Sequence, residues 1–278
     1  MEGCAGVIPL WFSVPANRVR PPGLCRHKVW STHIPGNSST YVFPDEASFM
    51  SDYQDSWLAS TWKRTGWDCM RHVEILAGGA VPVFAGVSQC PRCTMVGYPK
   101  QLLGAVELLV GPRPSAIPAP VHKDGHGCVG LEPELAAVVQ REVQPTLADW
   151  VSATLTCGAM VTSVFQAWLV HVAEPQEREQ QQQQRQQQQQ QQQLPWDVAT
   201  PPRRVLFVDA SMGAKPDYMS MMVLIGLLEA FPSAMVHTPF QQAYLFDDYP
   251  LDKLSLLYGK GFNYARTLSH NKRYQGLL

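Results

Sequence analysis

Two carboxylates, an arginine and a histidine crowd into seven residues: Asp68, Arg71, His72 and Glu74. At 100° per residue, Asp68, Arg71 and Glu74 stand three apart along one side of a helix, with His72 adjacent. Cys69, Met70, Val73 and Ala77 gather on the other side. A cation between two carboxylates has two uses. On a solvated face it makes i,i+3 ion pairs worth roughly 0.2–0.5 kcal/mol each. Beside a cleft, the planar fork of the arginine can hold an anion. There the carboxylate accepts hydroxyl hydrogen bonds, strengthened by its charge. His72 has the same ambiguity: it can donate to a phosphate or pack inside the helix interface.

The surrounding elements decide which use applies. Residues 56–77 read as helical, with a break near Gly66. Gly78 and Gly79 end that helix by accepting a left-handed backbone. Val81 to Phe84 follows as a short β-rich run suited to a buried strand. Helix, glycine pair and strand make half of a parallel α/β unit, and open α/β sheets bind ligands outside the carboxyl ends of their strands. A second helix is expected over 147–172, with Met160, Val164 and Trp168 in one stripe beside Val161, Phe165 and Leu169.

Glutamine then fills 180–193, broken only by Arg185 and preceded by Glu174, Glu177 and Glu179. Such a tract buries too little apolar surface to offset its ordering entropy. It reads as a flexible linker or insertion; a long solvated helix continuing from Trp168 is the alternative. Beyond it, Val205-Leu206-Phe207-Val208 reads as a strand, and Asp217 can cap a helix reaching Phe231. Pro232 stops that helix, and 234–237 supplies the next strand. Strand, helix, strand is a right-handed βαβ unit opening a Rossmann-like domain. The chain ends about forty residues later, too soon to complete a doubly wound sheet.

The fold class expected is therefore α/β, with two partial Rossmann-like halves joined by a disordered glutamine-rich linker. The divisions are 1–44, rich in proline, glycine and serine and poorly ordered; 45–172, the first α/β half; 173–203, the linker; and 204–278, the start of a second half, incomplete. The prolines of 112–120 and the glycines at 125, 127 and 130 mark a loop within the first half.

Composition narrows the partners. Lys and Arg number 22 against 23 Asp and Glu, interleaved along the chain, so there is no electrostatic footprint for nucleic acid or an anionic membrane. No apolar stretch is long enough to span a bilayer. The N-terminus lacks a positive start and is interrupted by Pro9, so no signal peptide is read. The seven cysteines are odd in number and irregular in spacing, which shows no disulfide framework; most are expected as reduced core residues. Cys90 and Cys93 are half a zinc site, which Cys69, His72, His126 or Cys128 would have to complete through folding. Asp247-Asp248 and Tyr258-Gly259-Lys260-Gly261 both read as turns, and no metal or cofactor is expected.

The run Arg71-His72-Val73-Glu74-Ile75-Leu76-Ala77-Gly78-Gly79-Ala80-Val81-Pro82-Val83-Phe84 resembles the "R-x-x-E-A-x-x-x-G-x-x-P-V" signature of GT-B glycosyltransferases, notably the exostosin-like group. It is still more similar to a set of glycosyltransferase-like proteins of algae, bacteria and large viruses. That set carries "GWDC-[LM]-RH-[YV]-EI-[LM]-A-x-G-x-x-P-x-F", then "CP-x-x-T-[ML]" and a "PK" pair. This chain supplies Gly66 to Phe84, then Cys90-Pro91-Arg92-Cys93-Thr94-Met95 and Pro99-Lys100. Leu155-Thr156-Cys157-Gly158-Ala159-Met160, Pro216-Asp217-Tyr218 with Gly226-Leu227, and Tyr258-Gly259-Lys260-Gly261-Phe262 look like later segments of the same set. The resemblance spans roughly 41–264, apart from the linker and the proline-rich loops.

The resemblance implies a transferase moving a hexosyl or related sugar from a nucleotide-sugar to a glycan or protein acceptor. Glu74 would hold donor hydroxyls, Arg71 the diphosphate, and His72 is a further donor-site candidate. Stabilising the leaving diphosphate would be the electrostatic core of catalysis. No general base is assigned. The rival expectation is a catalytically inactive remnant or an interaction protein from an incomplete gene model. The compartment stays unassigned, with the Golgi expected only for a longer gene product.

Overall fold

The computed structural model describes residues 8–21, 25–113, 128–169, 202–209, 217–239, 242–269 and 274–276. The expected glutamine tract and residues 114–127 of the expected proline- and glycine-rich loop lie outside them. The protein is a mixed α/β structure with two small parallel sheets.

The first sheet has the order β1 (Lys28–Trp30), β2 (Ser56–Trp62), β3 (Val81–Ala85), all parallel. Helix α1 (Glu46–Gln54) crosses from β1 to β2, and α2 (Met70–Ala77) from β2 to β3. Asp45 starts α1 by accepting from the Ser48 N–H at 2.8 Å. Two expectations fail in this region. The segment 56–62 is the central strand, not helix, and it pairs in register from Leu58 opposite Val81 to Trp62 opposite Ala85. Its residues 56–61 are buried, as a strand between two parallel neighbours requires. An apolar run of this length fits helix or strand by periodicity alone, and partners on both edges decide for strand. The stretch before Pro44, expected to be loop, contributes β1 and core residues Trp11, Val14 and Trp30. At the end of α2, Gly78 is still right-handed, and Gly79, at φ +83°, makes the left-handed turn.

A disulfide joins Cys25 to Cys128, and Cys93 is also disulfide-bonded. Both correct the expectation of reduced cysteines: sequence separation of 103 residues hides the first pair. A cysteine in a disulfide has no thiolate for zinc, so the Cys90–Cys93 metal reading falls as well. Beside the first bridge, Val129 N donates to Arg26 O and Trp57 Nε1 donates to Val129 O, each at 2.6 Å.

After β3 comes α3 (Lys100–Val110). A helical run then starts at α4 (Pro133–Val138) and continues through a wide π turn (Val139–Val143) into α5 (Gln144–Trp150). Pro145 cannot donate to the carbonyl four residues back, a reason for the backbone to widen there. A second π turn (Val151–Leu155) precedes an extended Thr156, and α6 (Cys157–Trp168) follows. The single helix expected over 147–172 is thus broken at Thr156, and 170–172 lie outside the described residues. The break has a cause: Val14 donates to Leu155 O and accepts from Cys157 N, both at 2.9 Å. The Thr156 hydroxyl then caps α6 by accepting from Ala159 N.

The second sheet has the order β4 (Arg204–Leu206), β5 (Met235–Thr238), β6 (Tyr274–Gly276), again parallel. Helix α7 (Tyr218–Ala230) links β4 to β5, capped by Asp217, which accepts from Ser220 N at 2.9 Å. Helices α6 and α7 pack so closely that a Cβ on Gly226 would lie 2.4 Å from Cys157 O. Core residues from both parts form one contiguous cluster.

Candidate functional site

Helix α2 follows the carboxyl end of β2, so its first turn, with Arg71, stands at the carboxyl edge of the first sheet. One turn further, Glu74 is only 7% exposed. Its Oε1 accepts from Asn263 Nδ2 at 2.7 Å. The backbone N of Asn263 donates to Glu46 Oε1 at 3.1 Å, at the start of α1. Arg18 closes the group: its Nε lies 3.5 Å from Glu46 Oε1, and its Nη2 donates to Ala265 O at 2.8 Å. Four stretches of chain therefore meet at two carboxylates.

Burial dominates the electrostatics. It pushes the Glu74 carboxyl up to about 7, with Asn263 and Arg71 pulling the other way. Burial also raises Glu46, against the pull of Arg18. Tyr53, 1% exposed, sits beside Glu74 and Arg71 with its hydroxyl unpartnered, and burial raises it well above the usual phenol range. Arg71 Nη2 donates weakly to the Tyr41 hydroxyl at 3.4 Å, while its buried Nη1 has no partner. Tyr41 is 51% exposed, so the Arg71 side of the group is the one nearest solvent.

The residues read from sequence divide. Glu74 and Arg71 are brought together around one buried polar group. His72 goes to the core instead: its Nε2 faces Trp67 O at 2.9 Å and its Nδ1 faces the Thr61 hydroxyl at 2.9 Å. A carbonyl only accepts, so Nε2 carries the proton and Nδ1 accepts from Thr61. Burial lowers its pKa to about 4, leaving a neutral ring stacked near Phe84 with no nitrogen left for a phosphate. Asp68 leaves the expected line, because Cys69 before the helix is extended. Burial raises its carboxyl to about 6, with the Phe12 and Cys69 backbones pulling the other way, and its Oδ1 is buried with no partner. The described salt bridges include neither Asp68–Arg71 nor Arg71–Glu74, so the solvated ion-pair row does not form.

Comparison with known protein families, curated proteins and solved structures finds no significant match.

The groups around Glu74 that sequence reasoning missed are Asn263, Glu46, Arg18 and Tyr53. Asn263 is 189 residues from Glu74 and carried a weak signal. Asparagine is one of the few non-glycine residues that adopt φ +70°, and it follows the glycine-rich turn at 259–261. Asp247 and Asp248 lie in a turn, and among the described residues no cluster suits a metal ion. No described helix is long and apolar enough to cross a membrane.

A cavity of about 420 Å³ lies elsewhere, between Arg20, Leu76, Gly79, Gln144 and Asp149. It touches the end of α2 and the start of β3, away from Arg71. Size favours that cavity as a ligand site, but chemistry favours Glu74. The cavity's Gln144 is already bonded to Gly79 O at 2.9 Å, whereas the Glu74 group holds several unpartnered buried polar atoms.

Proposed function

We propose that this protein is a GT-B-type glycosyltransferase-like protein that binds a nucleotide-sugar at Glu74 and Arg71 and transfers the sugar to a glycan or protein acceptor. One observation carries the reading: a buried carboxylate stands one helical turn from an arginine with an unpartnered buried N–H, at the carboxyl edge of a parallel sheet. Glu74 offers acceptors for sugar or ribose hydroxyls, and Arg71 offers donors for the diphosphate. Neutralising a departing nucleotide diphosphate is then the catalytic contribution of Arg71. His72 supports the site indirectly, by locking α2 against β2 through Thr61.

The test is thermal unfolding with UDP-glucose, UDP-N-acetylglucosamine and GDP-mannose. A ligand that binds only the folded chain stabilises it by about 2.7 kcal/mol at a hundredfold excess over Kd. At least one donor should raise the Tm, and Glu74→Gln and Arg71→Ala should abolish the rise while keeping the native circular dichroism. No rise in the wild type with any donor, or an undiminished rise in both variants, rejects the assignment.

A second reading has one observation in its favour. Glu74 and Glu46 are both tied to Asn263, so neither stands ready as a general base. The chain would then bind a nucleotide-sugar without turnover. Release of UDP from UDP-glucose, measured over hours at high protein concentration, separates the two.

A further inference from the structure

Asn263 differs from every other group around Glu74 in being bonded to two carboxylates and still having an unused polar atom. It is fully buried, its backbone is left-handed at φ +70°, and its N and Nδ2 donate to Glu46 and Glu74. Its Oδ1 is buried with no partner. Left-handed backbone at a non-glycine residue and an orphaned buried acceptor both oppose folding, and such costs cluster where a ligand is met. The turn that carries it is held from outside by Arg18 Nη2, which donates to Ala265 O, and Asn17 Nδ2, which donates to Thr267 O, and from within by the Tyr264 hydroxyl, which donates to Tyr258 O at 2.7 Å. The position of Asn263 is therefore imposed by its surroundings.

We infer that Asn263 is a positioning and specificity-determining residue of the Glu74 site, its Nδ2 fixing Glu74 and its Oδ1 meeting a hydroxyl of the ligand. This rests on the nucleotide-sugar reading and adds which end of the ligand lies where. An amide oxygen beside a carboxylate is acceptor next to acceptor, which suits a ligand that donates, a polyhydroxyl group, and repels phosphate. Arg71, with its unpartnered Nη1, is the donor in the group and takes the anionic part. The sugar hydroxyls face Asn263 and Glu74, and the diphosphate faces Arg71 and the first turn of α2. The charged and titratable groups facing Glu74 are Arg71 on its own helix, Glu46 and Tyr53 on α1, Tyr98 before α3, and Tyr218 on α7.

Asn263→Gly and Asn263→Asp in the full chain test this, each checked for native circular dichroism. Glycine accepts φ +70° without strain, so it keeps the turn while removing the amide. Aspartate keeps the shape but replaces the donor with a charge. Calorimetric titration with whichever of UDP-glucose, UDP-N-acetylglucosamine and GDP-mannose stabilises the wild type is run from pH 5.5 to 8.5. Both variants should bind about tenfold more weakly or worse, the range expected for losing a hydrogen bond to a charged group. The pH at which binding reaches half its maximum should also move upward, because Glu74 loses the donor that favours its ionised form. A merely structural asparagine would leave the glycine variant's affinity at pH 8.5, where Glu74 is ionised, equal to that of the wild type. Wild-type binding with both variants within twofold and an unmoved midpoint overturns the inference alone. Absence of wild-type binding to all three donors overturns the nucleotide-sugar reading, and this inference with it.

Discussion

Asn263 and Glu74 lie 189 residues apart in sequence, yet Nδ2 of the first donates to Oε1 of the second at 2.7 Å with both side chains buried. That single bond joins the helix after β2 to the C-terminal turn, and it explains why Glu74 can be buried without a cation in contact. It also makes the protonation of Glu74 a quantity that the fold controls.

Stability should therefore fall on the alkaline side. A carboxyl raised from 4.5 to about 7 binds its proton more tightly in the folded chain than in the unfolded one. The stabilisation is complete below pH 4.5 and is lost as pH rises through 7, on the order of 3 kcal/mol at most. His33 and His72 act in the opposite sense. Burial lowers both to about 4, so their contribution holds above pH 6.5 and is lost as pH falls toward 4. Asp68, raised to about 6, acts with Glu74 and offsets the histidines below that pH, so melting curves should fall just above pH 6.5, where Glu74 alone of these groups is still changing its charge. Glu74→Gln should abolish that fall and steepen the acid limb, which Glu74 opposes between pH 4.5 and 6.5; an unchanged fall just above pH 6.5 contradicts the burial of an ionisable Glu74.

The Cys25–Cys128 bridge closes a long loop around the first sheet. Cross-linking over about 100 residues stabilises by roughly 3–5 kcal/mol through the unfolded state. A Cys25→Ser, Cys128→Ser double variant should lose that amount in urea titration, with the m value rising as the unfolded chain expands. Intact mass under non-reducing conditions, before and after alkylation, counts the bridged thiols directly.

Arg26 is 0% exposed and spans three carbonyls: Nη1 donates to Tyr53 O at 3.4 Å and also to Gln54 O, and Nη2 to Gly79 O at 2.8 Å. Its guanidinium lies 5.5 Å from the Trp57 ring, and burial lowers its pKa to about 10. Arg26→Met should cost about 1–3 kcal/mol, because Gln54 O loses its donor while Gly79 O keeps only Gln144. Arg26→Lys should recover little of that, since an ammonium cannot reproduce the fork. A lysine variant as stable as wild type would show that charge alone matters there.

Gly226 is the contact point of α7 against α6. A Cβ there would lie 2.4 Å from Cys157 O and 2.5 Å from Val161 Cγ2, a backbone clash that the helices must separate to relieve. Gly226→Ala should destabilise by about 1–3 kcal/mol despite the better helix propensity of alanine. The control is Gly104→Ala, on α3, where the nearest atom is at 3.8 Å. That change should be neutral or stabilising, and equal effects at the two sites would refute the close packing of α6 and α7.

Local chemistry was legible in the chain. Gly79, the β-rich run at 81–84 and the cap at Asp217 lie where their residue types place them, because caps and turns are settled by a few neighbours, whereas the strand expected over 205–208 forms as 204–206. The grouping of Glu74 with Arg71 was legible for the same reason: one helical turn separates them. What required the tertiary structure was everything that depends on a distant partner. Residues 56–62 are a strand because β1 and β3 flank them, and Thr156 leaves the helix because Val14 bonds on both sides of it. Cys25 meets Cys128, His72 turns into the core, and Asn263 reaches Glu74 only once both halves pack. Sequence spacing encodes contacts within a turn or two of backbone, whereas burial and long-range pairing depend on which surfaces fold against each other.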